Sequence, residues 1–133
     1  MTDEQRERFD AMVAAVIDGL PAGVQRVLDE VSVTVLDRPT PVMLAELGMS
    51  EADADDVCGL HTGVGLTERG IEDQPMAPDV IHLFRFGTVR VARGWHGPDA
   101  DARIGEEIRI TLLHEIGHHF GLDETDLDDL GYG

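Results

Sequence analysis

Apolar residues recur near the start of the chain at Phe9, Met12, Val13, Val16, Ile17 and Leu20. This i, i+3, i+4, i+7 spacing puts one apolar stripe on a helix. Thr2 and Gln5 have capping-box spacing at its beginning, and Pro21 ends it. Val24, Val27, Leu28 and Val31 predict a second short helix, leading into a strand over residues 32–36. Asp37 to Pro41 reads as a turn, because each proline disfavours helix in the residue before it. A short helix is expected over Val42 to Leu47, and Ser50 is a fitting N-cap for a helix from Glu51 to Cys58.

From Gly59 to Gly70 four glycines punctuate what reads as a flexible connection; it lacks the Gly-Lys-Ser/Thr ending of a phosphate loop. Val80 to Phe86 and Thr88 to Ala92 are rich in β-formers and separated by Gly87, which predicts a hairpin or two adjacent strands. The last element runs from about Ile104 to Phe120, with Ile104, Ile108, Leu112, Ile116 and Phe120 every four residues and Ile110 and Leu113 widening the surface. That pattern predicts a central helix buried on most sides. The order of elements gives an α+β fold: N-terminal helices and a small sheet packed on a central helix, in a single domain over 1–133.

Composition narrows the partners. Of 133 residues, 27 are acidic and 10 basic, all of them arginine, for a formal charge of −17. Such a field repels phosphate backbones and anionic headgroups, which argues against nucleic acid and membrane surfaces as partners. The charged N-terminus has no signal-peptide core, no apolar run approaches a membrane span, and the single cysteine, Cys58, cannot form an internal disulfide. A cytoplasmic location is expected.

The chemistry lies on the last helix, in His114-Glu115-Ile116-Gly117-His118. Histidines at i and i+4 stack one turn apart on one face, where both imidazoles reach a single Zn²⁺. Glu115 projects about 100° round the helix from His114. There it borders the metal without having to bind it, the place for a general base that takes a proton from water and returns it to a leaving amine. Gly121 follows His118 at the spacing His-Glu-x-x-His-x-x-Gly and can turn the chain back towards the metal. In the compact pattern ending His-x-x-Gly-x-x-His/Asp, the third ligand falls at Glu124, with Asp123 second and Asp126 also within reach. Three protein ligands leave a fourth position for water, as a catalytic zinc requires.

The stretch Ile108-Arg-Ile-Thr-Leu-Leu-His-Glu-Ile-Gly-His-His-Phe-Gly-Leu122 with the acidic segment after it resembles the minimal zincins, a family of small bacterial proteins read as zinc metallopeptidases. Leu20-Pro21 into Val31-Ser-Val, the Gly59 to Gly70 segment and the Ile81-His-Leu-Phe-Arg strand are similar to that family's layout, so the resemblance covers most of the chain. It implies a compact zincin-like fold, metal binding by His114 and His118, Glu115 as catalytic glutamate and an acidic third ligand near 124. His61 stands where an aromatic residue is expected, and Glu124 where aspartate is.

The remaining candidates have plainer roles. His119 is offset from the ligand face; His61, His82 and His96 lack metal spacing and read as structural or exposed. Cys58 reads as a small buried hydrophobe, Tyr132 as part of a frayed end, and Glu51 to Asp56 as a solvated face. Arg69 and Arg85 are expected to pair with carboxylates. Two functions follow: a zinc-dependent hydrolase acting on peptide bonds, with an extended substrate added to an edge strand at Ile81 to Phe86, or a binding or regulatory module that keeps the fold without turnover. The small size favours the second, and the intact Glu115 favours the first. The peptide or protein substrate is unspecified, and the protein is expected to be a monomer or homodimer.

Overall fold

The computed structural model describes residues 1–63 and 79–119. Helix α1 (Asp3–Asp18) opens on the expected capping box: Thr2 Oγ1 accepts from the Gln5 N–H at 3.1 Å and Gln5 Oε1 from the Thr2 N–H at 3.0 Å. Two backbone donors at the helix start are thereby satisfied. Helix α2 (Ala22–Leu28) follows Pro21, and strand β1 (Ser32–Leu36) follows it. Helix α3 (Pro41–Leu47) has proline in its first turn, Thr40 Oγ1 capping the Met43 N–H at 3.2 Å, and Gly48 closing it at φ 69°. A 3-10 helix, Glu51–Asp56, leads to β2 (Gly59–Thr62). Then come β3 (Val80–Phe84), α4 (Arg85–Val91) and the long helix α5 (Ala100–His119).

The three strands form one mixed sheet in the order β1-β3-β2, parallel between β1 and β3 and antiparallel between β2 and β3. Alternation along β3 sends Ile81 and Leu83 to the helical side, where they share a core with Phe9 and Val13 of α1 and Ile104, Ile108, Leu112 and Ile116 of α5. Ile81, Leu83, Ile104, Ile108 and Leu112 are fully buried. Each contributes about 1.5–3 kcal/mol. Helix α5 therefore lies across β2 and β3 with α1 and α4 beside it. The compact α+β arrangement expected from the pattern is present.

On the opposite face, buried His82 of β3 joins the outer strands through its ring. Its Nδ1 is 2.7 Å from Thr34 Oγ1 on β1, and its Nε2 is 3.1 Å from Thr62 Oγ1 on β2. Desolvation lowers its pKa from the ordinary imidazole value, with a smaller opposing pull from Glu46.

Five sequence expectations change. Thr88 to Ala92 is not a strand and there is no hairpin: Arg85–Val91 is helix α4. Tertiary contacts override the β-rich composition. Thr88 Oγ1 donates to the Phe84 carbonyl at 2.7 Å, and a Cβ at Gly87 would lie 2.0 Å from the Val57 carbonyl oxygen. The glycine is there for close packing of α4 on the chain entering β2, not for a turn. The start of the supposed loop, Gly59–Thr62, is strand β2. Finally, β3 is the central strand, hydrogen-bonded on both sides, so Ile81 to Phe86 is not an edge that could add a peptide. The helix from Glu51 is a 3-10 helix ending at Asp56, and α5 begins a turn earlier than expected. There Arg103 donates to the carbonyls of Ala92 (2.8 Å) and His96 (2.8 Å), stapling the preceding loop to the helix.

Candidate metal centre

Helix α5 changes character along its length. Its first half is exposed at Asp101, Ala102, Glu106 and Arg109, whereas from Thr111 to Gly117 only His114 and Glu115 keep partial exposure and their neighbours are buried. The helix thus brings the motif to the edge of the core. Rigid packing behind it by Leu112, Leu113 and Ile116 fixes where its polar side chains point.

His114 and His118 converge as the i, i+4 spacing requires. Their Nε2 atoms are 3.1 Å apart, with ring centroids at 4.8 Å and planes tilted by 46°. Two nitrogens at about 2.0–2.1 Å from a tetrahedral zinc stand about 3.3 Å apart, so the pair already has the bite of a chelate. One ligand atom from each of His114, Glu115 and His118 lies within 4.8 Å of the others. The donor set, two imidazoles and a carboxylate, suits a borderline cation such as zinc. Among the described residues, this potential metal group does not include His61, His82 or His96.

Strand β2 forms the facing wall. A Cβ at Gly59 would lie 2.5 Å from Thr111 Cγ2 and 3.4 Å from Glu115 Cγ, so only glycine lets the strand approach the helix this closely. His61 stands opposite Ile81 and so lies on the sheet face that meets the helices. A groove of about 330 Å³ opens between the two walls, with His114, Glu115, Thr111 and Ile110 on one side and Cys58 and Gly59 on the other. Burial, reinforced by the negative charge of Glu107, raises the Cys58 thiol to about 11. It is a neutral thiol at neutral pH, half-buried in a groove wall and not sealed in the core.

Of the residues expected at the site, the structure brings together His114, Glu115 and His118. The third-ligand candidates Glu124, Asp123 and Asp126, together with Gly121, Phe120, Tyr132 and Arg69, lie outside the described residues, as does the side chain of His119. The sequence reading missed Gly59 and Glu107 as parts of this site. The spacing of Glu107 to His114, two helical turns, is a signal that could have found the latter. No helix among the described residues is long and apolar enough to cross a membrane.

A family model described as zincin-like metallopeptidase matches residues 28–133, most of the chain. No curated protein matches it.

Proposed function

The chain belongs to the zincin-like metallopeptidases, and from that premise we propose that it is a zinc-dependent peptidase in which His114, His118 and Glu124 hold the metal and Glu115 is the general base. Asp123 and Asp126 are the alternatives for the third ligand. The observation that carries the reading is the convergence of the two imidazole Nε2 atoms at 3.1 Å with the Glu115 carboxylate beside them.

When bound, zinc supplies Lewis-acid polarisation of a peptide carbonyl and acidifies the neighbouring water. Glu115 carries the proton. Its carboxylate oxygen accepts a proton from the attacking water and then, as the acid, delivers it to the amine that leaves when the C–N bond breaks. His114 and His118 arrive pre-positioned on a helix whose far side is core, so little ordering is needed when the metal binds. Strand β2, an outer strand of the sheet among the described residues and packed beside α5, is the edge on which an extended peptide can add by main-chain hydrogen bonds. Placement there runs the peptide past Glu115, which lies against Gly59.

The test combines elemental analysis with cleavage of a broad peptide library. One zinc per chain is expected, lost in His114→Ala and His118→Ala and weakened when the third ligand is substituted. Glu115→Gln should keep the zinc and lose about 10²–10⁴ of the cleavage rate. Zinc-loaded protein that cleaves nothing in the library would leave a binding module instead, and cleavage undiminished in Glu115→Gln would remove the proposed base.

A further inference from the structure

The groove beside the metal group continues away from it towards the start of α5, and its far end is acidic. Glu107 lies seven residues before His114 on the same helical face, about 10 Å up the axis, and lines the same groove as His114 and Glu115. It is half-buried, and among the described residues no ion pair is made to it. Its charge reaches the interior of the groove, since it helps to hold the Cys58 thiol neutral. Asp56 lines the same groove; its pairing with Arg90 is at 3.4 Å, with the Arg90 side chain 66% and its own 55% exposed, a contact that a better-placed cation can displace. Between this end and the motif lie Ile110 and Thr111, which offer aliphatic surface.

The arrangement has the form of a site for a long cationic side chain, with an apolar floor for the methylenes and carboxylates for the head. A half-desolvated carboxylate gains most from a partner that brings its own positive charge. The groove also opens directly onto the reacting centre, so a side chain lodged there belongs to a residue next to the bond at Glu115. We propose that this groove is a specificity pocket that takes an arginine or lysine side chain of the peptide substrate, with Glu107 as the charge that selects it and Asp56 as its second carboxylate. This rests on the metallopeptidase reading, and its test is arranged so that the two fail separately.

Matched peptides carrying arginine, norleucine or glutamate at each position flanking the bond are compared by kcat/KM and, independently, by fluorescence-anisotropy binding to the zinc-loaded chain. Arginine should exceed norleucine by tenfold or more, and glutamate should be worst. In Glu107→Gln the arginine-to-norleucine ratio should fall towards 1, and in Glu107→Lys the order of arginine and glutamate should reverse, with zinc content and melting temperature confirming that both variants fold. A wild-type ratio near 1, or a ratio that survives Glu107→Gln, overturns the pocket while leaving the peptidase intact. If no peptide is cleaved, the peptidase reading fails and the binding arm decides. Tighter arginine binding that is lost in Glu107→Gln upholds the pocket, and equal binding of all three peptides overturns it.

Discussion

His82 shows how much of the sheet one side chain can hold. Both ring nitrogens meet threonine hydroxyls, from β1 on one side and β2 on the other, so one imidazole spans all three strands. Burial favours its neutral form and lowers its pKa from the ordinary 6.5. The sign of the resulting pH dependence follows from linkage. Above the ordinary value neither the folded nor the unfolded chain is protonated there, and the full stability is present. As pH falls past it, the unfolded chain takes up a proton that the folded chain refuses, and stability declines until the lowered folded-state pKa is reached. Urea midpoints measured from about pH 7 down to about pH 5 should therefore fall. In His82→Gln, which keeps hydrogen-bonding capacity but cannot titrate, that part of the decline should disappear. Identical slopes for the two proteins would show that His82 is not the group responsible.

Among the elements, the junction of α1, β1 and α4 is held by charge. Asp37, just past β1, accepts from Arg6 of α1 (Nε at 3.1 Å to both oxygens, Nη2 at 2.9 Å) and from Arg85 of α4 (Nη1 at 3.0 Å). Arg85 also grips Asp10 of α1 through Nε at 3.1 Å and Nη2 at 2.9 Å. The Arg6 hydrogen bonds, and less so those of Arg85, hold the Asp37 carboxyl below its ordinary range. With Arg85 only 13% exposed, Asp37→Asn leaves a largely buried guanidinium with one carboxylate fewer. It should cost about 1–3 kcal/mol, read as a lowered urea midpoint at neutral pH. An unchanged midpoint would show that the pairs are solvated ornaments of the surface. This junction also explains what could be read from the sequence and what could not. Helices α1 and α5 and strand β1 follow local periodicity, and the His114, Glu115 and His118 group is legible because one helical turn brings its members together. Helix α4 was not legible, because Thr88, Val89 and Val91 favour strand, while Arg85's partners and the backbone of Val57, against which the helix packs, are distant in sequence. Strand β2 is short and begins with a glycine, and the need for that glycine comes from Thr111 and Glu115 across the groove. The pocket walls escaped for the same reason: Asp56, Cys58 and Glu107 meet only once the 3-10 helix and α5 are packed.

For the molecule as a whole, the excess of acid is a long-range field with few internal cations left to offset it. The ten arginines face 27 carboxylates, and seven of the nine arginines among the described residues already sit in ion pairs, those of Arg6, Arg8, Arg38, Arg85, Arg90, Arg103 and Arg109. The −17 is what remains after every arginine is counted, so internal pairing leaves it undiminished as a field facing solvent, and a groove lined by Glu107, Asp56 and Glu115 concentrates that field at its mouth. A cationic peptide should be drawn in over distances set by ionic strength, since the Debye length shrinks from about 30 Å at 0.01 M salt to about 3 Å at 1 M. Raising salt across that range should lower kcat/KM for arginine peptides steeply, through association, while norleucine peptides respond weakly and glutamate peptides improve. Glu107→Gln should flatten the arginine slope only in part, because one local charge is removed from a field made by the whole surface. If the slope vanishes altogether in that variant, the attraction is a contact at the groove; if it is absent in the wild type, the acidic surface plays no part in capture.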